Sequence, residues 1–100
     1  MHRYVYNHRL LTARRYLIGG RVQGVGYRIF AEHQARVENV HGWVRNLPDG
    51  RVEARIEGDR ESVERVEAAL RRGPAGARIE SFEVETEVPS GRATGFFVQD

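Results

Sequence analysis

The densest chemistry in this chain lies in nine residues, Gly20 to Arg28, which read GRVQGVGYR. Gly24 and Gly26 fall between a stretch patterned as a strand and one patterned as a helix, and Arg28 stands at the helix start. With no side chains at 24 and 26, the backbone N–H groups of the turn can converge on anion oxygens, and the positive end of the helix dipole reinforces them. The forked guanidinium of Arg28 adds two parallel donors matched to phosphate. Any strand-to-helix turn wants glycine, however, and one arginine beside it carries little weight in a chain with sixteen.

One hundred residues make one domain, able to bury about 60 to 65% of the surface its unfolded chain exposes. With no cysteine there is neither a disulfide nor a thiolate metal site, and phosphatase chemistry through a cysteine nucleophile is excluded. All sixteen basic residues are arginine, and the net charge is only +2. Residues 1 to 15 hold four of them (3, 9, 14 and 15) and no acid, so the remaining body has twelve arginines against fourteen acids. That balance argues against a nucleic-acid partner. No apolar run is long enough to span a bilayer and the start lacks a secretory pattern, so the expected location is the cytoplasm.

The elements that must position the glycine turn follow from periodicity. Residues 1 to 13 show no clean period and are expected to be a flexible extension, with Tyr4-Val5-Tyr6 as its one candidate edge strand. Tyr16, Ile18, Gly20 and Val22 alternate, which predicts a first strand from Arg15 to Val22. A helix is expected from Arg28 to about Val40, burying Phe30, His33 or Gln34, Val37 and Val40. Gly42 to Leu47 and Arg51 to Glu57 form a hairpin around Pro48-Asp49-Gly50, the second strand burying Val52, Ala54 and Ile56. Asp59 is the expected N-cap of a second helix with the stripe Val63, Val66, Leu70, ended by Gly73-Pro74. Ala77 to Val88 is a long strand with Glu83, Glu85 and Glu87 on a solvated face, and Gly95 to Gln99 a short closing strand.

The order β-α-β-β-α-β places the chain in the α+β class, as a ferredoxin-like split βαβ fold: an antiparallel sheet in the order 4-1-3-2 with both helices on one face. Handed crossovers then make the first two strands parallel. Their C-terminal ends share one edge, so Asn46 approaches Arg28 although eighteen positions separate them.

Taken together, GRVQGVGYR at 20 to 28, GWVRN at 42 to 46, PDGRVE at 48 to 53 and LRRGP at 70 to 74 resemble the acylphosphatase family, and the similarity runs over residues 15 to 99. The resemblance implies that Arg28 binds the substrate phosphate, that Asn46 positions the attacking water, and that Gln23, Gly24, Val25, Gly26 and Tyr27 form the phosphate cradle. It implies hydrolysis of an acyl phosphate to a carboxylate and inorganic phosphate by a domain spanning 14–100, a monomer acting without metal or other cofactor. An acyl phosphate has a good leaving group, so placing water and stabilising phosphoryl charge can suffice.

Two other readings share the fold. One is an anion- or RNA-binding module, to which Thr94 to Gln99 offers a faint glycine-aromatic echo but no stacking aromatics on the third strand. The other is a carbamoyl-phosphate-processing domain like the module in hydrogenase-maturation carbamoyltransferases. No His, Asp or Glu set has metal-ligand spacing. Trp43 reads as a packing residue, with its nearness to Asn46 leaving a role at the acyl group open.

Overall fold

The computed structural model describes residues 11–100, so Tyr4-Val5-Tyr6 and most of the expected extension lie outside the described residues. The elements are β1 (Leu11–Arg21), α1 (Tyr27–Val37), β2 (His41–Asn46), β3 (Val52–Asp59), α2 (Arg60–Arg72), β4 (Arg78–Glu87) and β5 (Phe96–Gln99). They form one five-stranded sheet in the order β4-β1-β3-β2-β5. Since β1 and β2 each pair antiparallel with β3, they run parallel to one another with β3 between them. The split βαβ plan holds. The sheet is mixed rather than wholly antiparallel, because β5 joins β2 in parallel.

β1 starts at Leu11, four residues before the expected Arg15, and Leu11 already pairs with Asp59 and Ala13 with Glu87. Two consecutive arginines resemble a solvated lead-in, but both find carboxylates. Arg14 donates to Glu67 on α2 at 2.8 Å, and Arg15 bonds Glu53 on β3. The paired charges therefore continue the strand instead of ending it.

The buried face of α1 is Tyr27, Ala31 and Ala35, while Val37 is 66% exposed, His33 is exposed and Phe30 only half-buried. The large apolar residues of this segment are not the ones that carry the contact. Spacing of four keeps 27, 31 and 35 on one side, and the two alanines let the helix sit close to the sheet. The helix ends at Val37: Asn39 turns left-handed (φ 57°), and the Val40 N–H reaches the Ala35 carbonyl at 2.8 Å, burying Val40 beyond the helix. α2 buries Val63, Val66, Ala69 and Leu70, with Asp59 in the N-cap position but making no side-chain cap bond, and Gly73 (φ 72°) ending it.

Both helices cover the same side of the sheet, where Tyr16, Ile18, Val44, Val52, Ala54 and Ile56 are completely buried. The opposite side is charged. Glu53 and Glu57 are buried there beside Val52, Ala54 and Ile56, so β3 is covered on both faces. Arg15 and Arg45 hold Glu53, and Arg15 and Arg55 hold Glu87. The glutamate row on β4 is thus partly enlisted in a cross-strand ion network.

From β4 the chain crosses to the far edge through residues 88 to 95. The crossing is pinned over the end of β3 by the Glu57 carboxylate, which accepts from Ser90 N (2.9 Å) and Gly91 N (2.6 Å). It then meets β2, where His41 Nδ1 accepts from Gly95 N at 2.9 Å and Gly42 N donates to Gly95 O at 2.9 Å. From there β5 runs back along β2 toward Asn46, carrying Gln99 to the end of the sheet where the glycine turn lies.

Candidate active site

Where β1 ends, residues 22 to 26 turn the chain into α1. Gly24 and Gly26 have φ of 77° and 76°, in the left-handed region where a Cβ is penalised. A Cβ built at either meets no atom within 4 Å, so glycine is required for backbone conformation rather than for room. Gly26 is the N-cap of α1, and its carbonyl takes the first helical bond, from Phe30 N at 3.0 Å. The N–H groups of the first turn consequently lack helical acceptors, and no acid occupies that turn to satisfy them.

A depression of about 160 Å³ opens over these donors. Its walls are Val22, Gln23, Gly24, Gly26, Tyr27, Arg28, Ile29 and Asn46, with no carboxylate among them. Asn46 enters from the last position of β2, brought there by the parallel relation of β1 and β2. The helix turn and the strand end, remote in sequence, therefore share one small cleft. No hydrogen bond ties the Asn46 carboxamide to another described side chain or backbone group.

Arg28 is oriented from a direction that the sequence did not reveal. Its Nη1 donates to the Gln99 carbonyl on β5 at 2.8 Å, while the side chain of Asp100 stands 3.8 Å away and is fully exposed. A neutral carbonyl fixes the guanidinium without cancelling its charge. Tyr27 has its ring buried, and its hydroxyl donates to the Leu70 carbonyl at 2.6 Å. Burial pushes this phenol above its ordinary range, so it stays neutral. The side chain of Tyr27 thus locks α1 to α2, which leaves its main chain to border the cleft. Val25 is not part of the cleft wall; it is half-buried and packs against the core.

Gln23 borders the cleft, but its side-chain nitrogen is engaged outside the cradle. Its Nε2 donates to Leu47 O at 2.8 Å and Arg51 O at 2.9 Å, both in the β2–β3 turn. Trp43 lies on the opposite face of β2 from Asn46, three positions away on an alternating strand, with Arg45 over its ring at 5.4 Å. It does not border the cleft. Sequence reasoning missed the Gln99 carbonyl because the parallel pairing of β5 leaves no local signature, and Ile29 because an exposed residue on a helix looks like surface.

Comparisons with known proteins bear on the family and the fold. Residues 14–98 match the profile of the family described as Acylphosphatase. An acylphosphatase of Thermococcus kodakarensis is 55% identical over 74 residues, covering 74% of this chain and 81% of the relative. One from Roseiflexus sp. is 48% identical over 81 residues, covering 81% and 87%. The solved structure of an acylphosphatase from Coxiella burnetii superposes with a TM-score of 0.86 at 29% identity, covering 93% of this chain and 97% of that one.

Proposed function

We propose that this chain, which belongs to the acylphosphatase family of enzymes, performs acyl phosphate hydrolysis in the cleft between the glycine turn and Asn46. The observation that carries the assignment of roles is the meeting of three features in that cleft: helix N-terminal N–H groups without helical acceptors, a guanidinium held by a neutral carbonyl, and a carboxamide with no partner among the described residues.

The backbone N–H groups of residues 23 to 28 and the Arg28 guanidinium hold the phosphoryl oxygens and spread their charge. Asn46 orients a water on the side of phosphorus opposite the leaving carboxylate. As the water oxygen bonds to phosphorus, the bond from phosphorus to the acyl oxygen breaks, and its electron pair leaves with the carboxylate. A neutral amide cannot serve as base, so the proton of the water passes to a phosphoryl oxygen of the substrate, giving inorganic phosphate. The catalytic residues are Arg28 and Asn46; the cradle acts through its main chain.

No metal or cofactor is required by this scheme, and the acting unit is a monomer in the cytoplasm. Among the described residues no helix is long and apolar enough to cross a membrane. The RNA-binding reading gains nothing from the open sheet face, where ion pairs hold Arg15, Arg45 and Arg55. A free-standing acylphosphatase is favoured over a carbamoyl-phosphate module because the relatives named acylphosphatase are matched over most of their own length.

The test is phosphate release from benzoyl phosphate by the purified chain, in the presence of a chelator, with inorganic phosphate as a competitive inhibitor. Turnover with competition is expected. Absence of turnover, or inhibition by phosphate that survives the change Arg28→Ala undiminished, overturns the assignment.

A further inference from the structure

We infer that the Gln23 side chain is a positioning residue, a strut that fixes the distance between the phosphate cradle and the water-orienting Asn46, and not a phosphate ligand. The inference rests on the functional reading above. It starts from the inventory of a carboxamide: two N–H donors and an oxygen that only accepts. Both donors are spent, since Nε2 reaches Leu47 O at 2.8 Å and Arg51 O at 2.9 Å. Turning the amide over would aim its oxygen at two carbonyl oxygens, so these partners fix the orientation. What remains is Oε1, an acceptor that an anion repels. Residue 23 can serve phosphate through its main chain alone.

The two carbonyls that Gln23 takes are the ones that close the β2–β3 turn. Leu47 N donates to Arg51 O at 2.8 Å, and Gly50 N donates to Leu47 O at 3.1 Å. Each carbonyl therefore accepts one bond from the turn itself and one from the cradle loop, using both lone pairs. Pro48, Asp49 and Gly50 are exposed, and Asp49 braces only its own turn, accepting from Arg51 N at 3.0 Å. Asn46 immediately precedes Leu47 and has no side-chain bond of its own among the described residues. The link from Leu47 back to Gln23 is thus the hydrogen-bonded connection nearest to Asn46 that leads to the cradle. A displacement of about 1 Å between reacting groups can cost about 100-fold in rate, which makes such a strut consequential.

The test uses Gln23→Met in the full chain, a side chain of similar length and shape with no donor. With benzoyl phosphate, kcat is expected to fall at least about tenfold while the inhibition constant of inorganic phosphate changes less than about threefold. On an Asn46→Ala background the same change is expected to cost less than about threefold, because no positioned amide is left to misplace. An inhibition constant that rises as far as kcat/KM falls makes Gln23 a ligand and overturns the inference; so does a full tenfold loss persisting without Asn46. Nuclear magnetic resonance supplies a readout besides activity: in Gln23→Met the Asn46 side-chain amide resonance should move or broaden, while the amides of 24 to 28 still titrate with phosphate. An unchanged Asn46 resonance also overturns the strut. If the unsubstituted chain releases no phosphate, the functional reading fails instead, and the resonance arm still decides on Gln23. Should Gln23→Met not fold, Gln23→Asn, one methylene too short to reach both carbonyls, carries the same expectations.

Discussion

At opposite ends of β2 and β3, two glycine-containing loops present the same kinds of donor to negative charge. Around Glu57, backbone N–H groups of Ser90 and Gly91, the Ser90 hydroxyl and the Arg55 guanidinium converge at 2.6 to 3.1 Å on a carboxylate that the chain itself supplies. Around the glycine turn, helix N-terminal N–H groups and the Arg28 guanidinium converge on a cleft whose walls contain no carboxylate. The first arrangement is a fastening. The second is suited to receive a substrate. Counting arginines or glycines does not separate them; what the guanidinium is fixed by does, a buried glutamate that cancels its charge in one case and a neutral main-chain carbonyl that leaves it in the other.

The sharpest break in this comparison comes from exchanging the two arginines. Arg28→Ala is expected to lower kcat/KM for benzoyl phosphate by at least about 1,000-fold, and Arg28→Lys to remain severely impaired, because a point-charge ammonium cannot form two parallel bonds to phosphoryl oxygens. Arg55→Lys should leave turnover within about threefold, since two amides and a hydroxyl still hold Glu57. Equal losses at both positions would erase the distinction.

Next in size is Asn46→Ala. Its kcat is expected to fall about 100-fold, with the phosphate inhibition constant little changed, because orientation of water matters in the transition state while the anion is held by the loop and Arg28. Steady-state kinetics with phosphate as competitor reads both quantities.

Glu57→Ala probes the fastening. It leaves donors around a buried carboxylate position unsatisfied, and urea unfolding should show a loss of about 1 to 3 kcal/mol, with turnover of the folded chain kept within about threefold. The pH dependence follows with a definite sign. Burial alone would push the Glu57 carboxyl up, but the Ser90 and Gly91 amides and Arg55 outweigh it and hold it below the ordinary 4.5. A lowered folded value means that this stabilisation is fully present above about pH 4.5 and is lost as pH falls through the folded value. Glu57→Gln should therefore flatten the acid limb of stability against pH. An acid limb identical to that of the unsubstituted chain would remove Glu57 as its source.

The smallest expected effect is that of Tyr27→Phe. It deletes the bond to the Leu70 carbonyl, costing about 1 kcal/mol by thermal or urea unfolding, with a modest change in kcat because the main chain of residue 27 stays in place.

Much of this is legible in the amino-acid pattern alone. Alternation in β3 placed Val52, Ala54 and Ile56 in the core, and spacing in α2 placed Val63, Val66 and Leu70 there, because each pattern is the local consequence of one element covering one side. α1 misled where small residues carry the contact: alanines at 31 and 35 are weak hydrophobic signals, yet they allow the close approach that leaves Val37 in solvent. Glu53 and Glu57 alternate with the apolar positions on β3, a pattern that by itself carries no sign of burial. They are buried because arginines from β1, β2 and β3 and the crossing loop meet over them, a condition set by strands far apart in the chain.

The sequence by itself determined the element order, the glycines needed for positive φ at 24 and 26, and, through the handedness of crossovers, the meeting of Asn46 with Arg28. These follow from local backbone sterics and chain connectivity, which act in every copy of such a pattern. Only the tertiary structure decided what each polar group would face: that β5 runs parallel to β2 and offers the Gln99 carbonyl to Arg28, that Gln23 spends its amide on the neighbouring turn, and that Glu57 is consumed by a loop more than thirty residues away. A hydrogen bond is a statement about two partners in space, and one residue's identity can fix at most its own half.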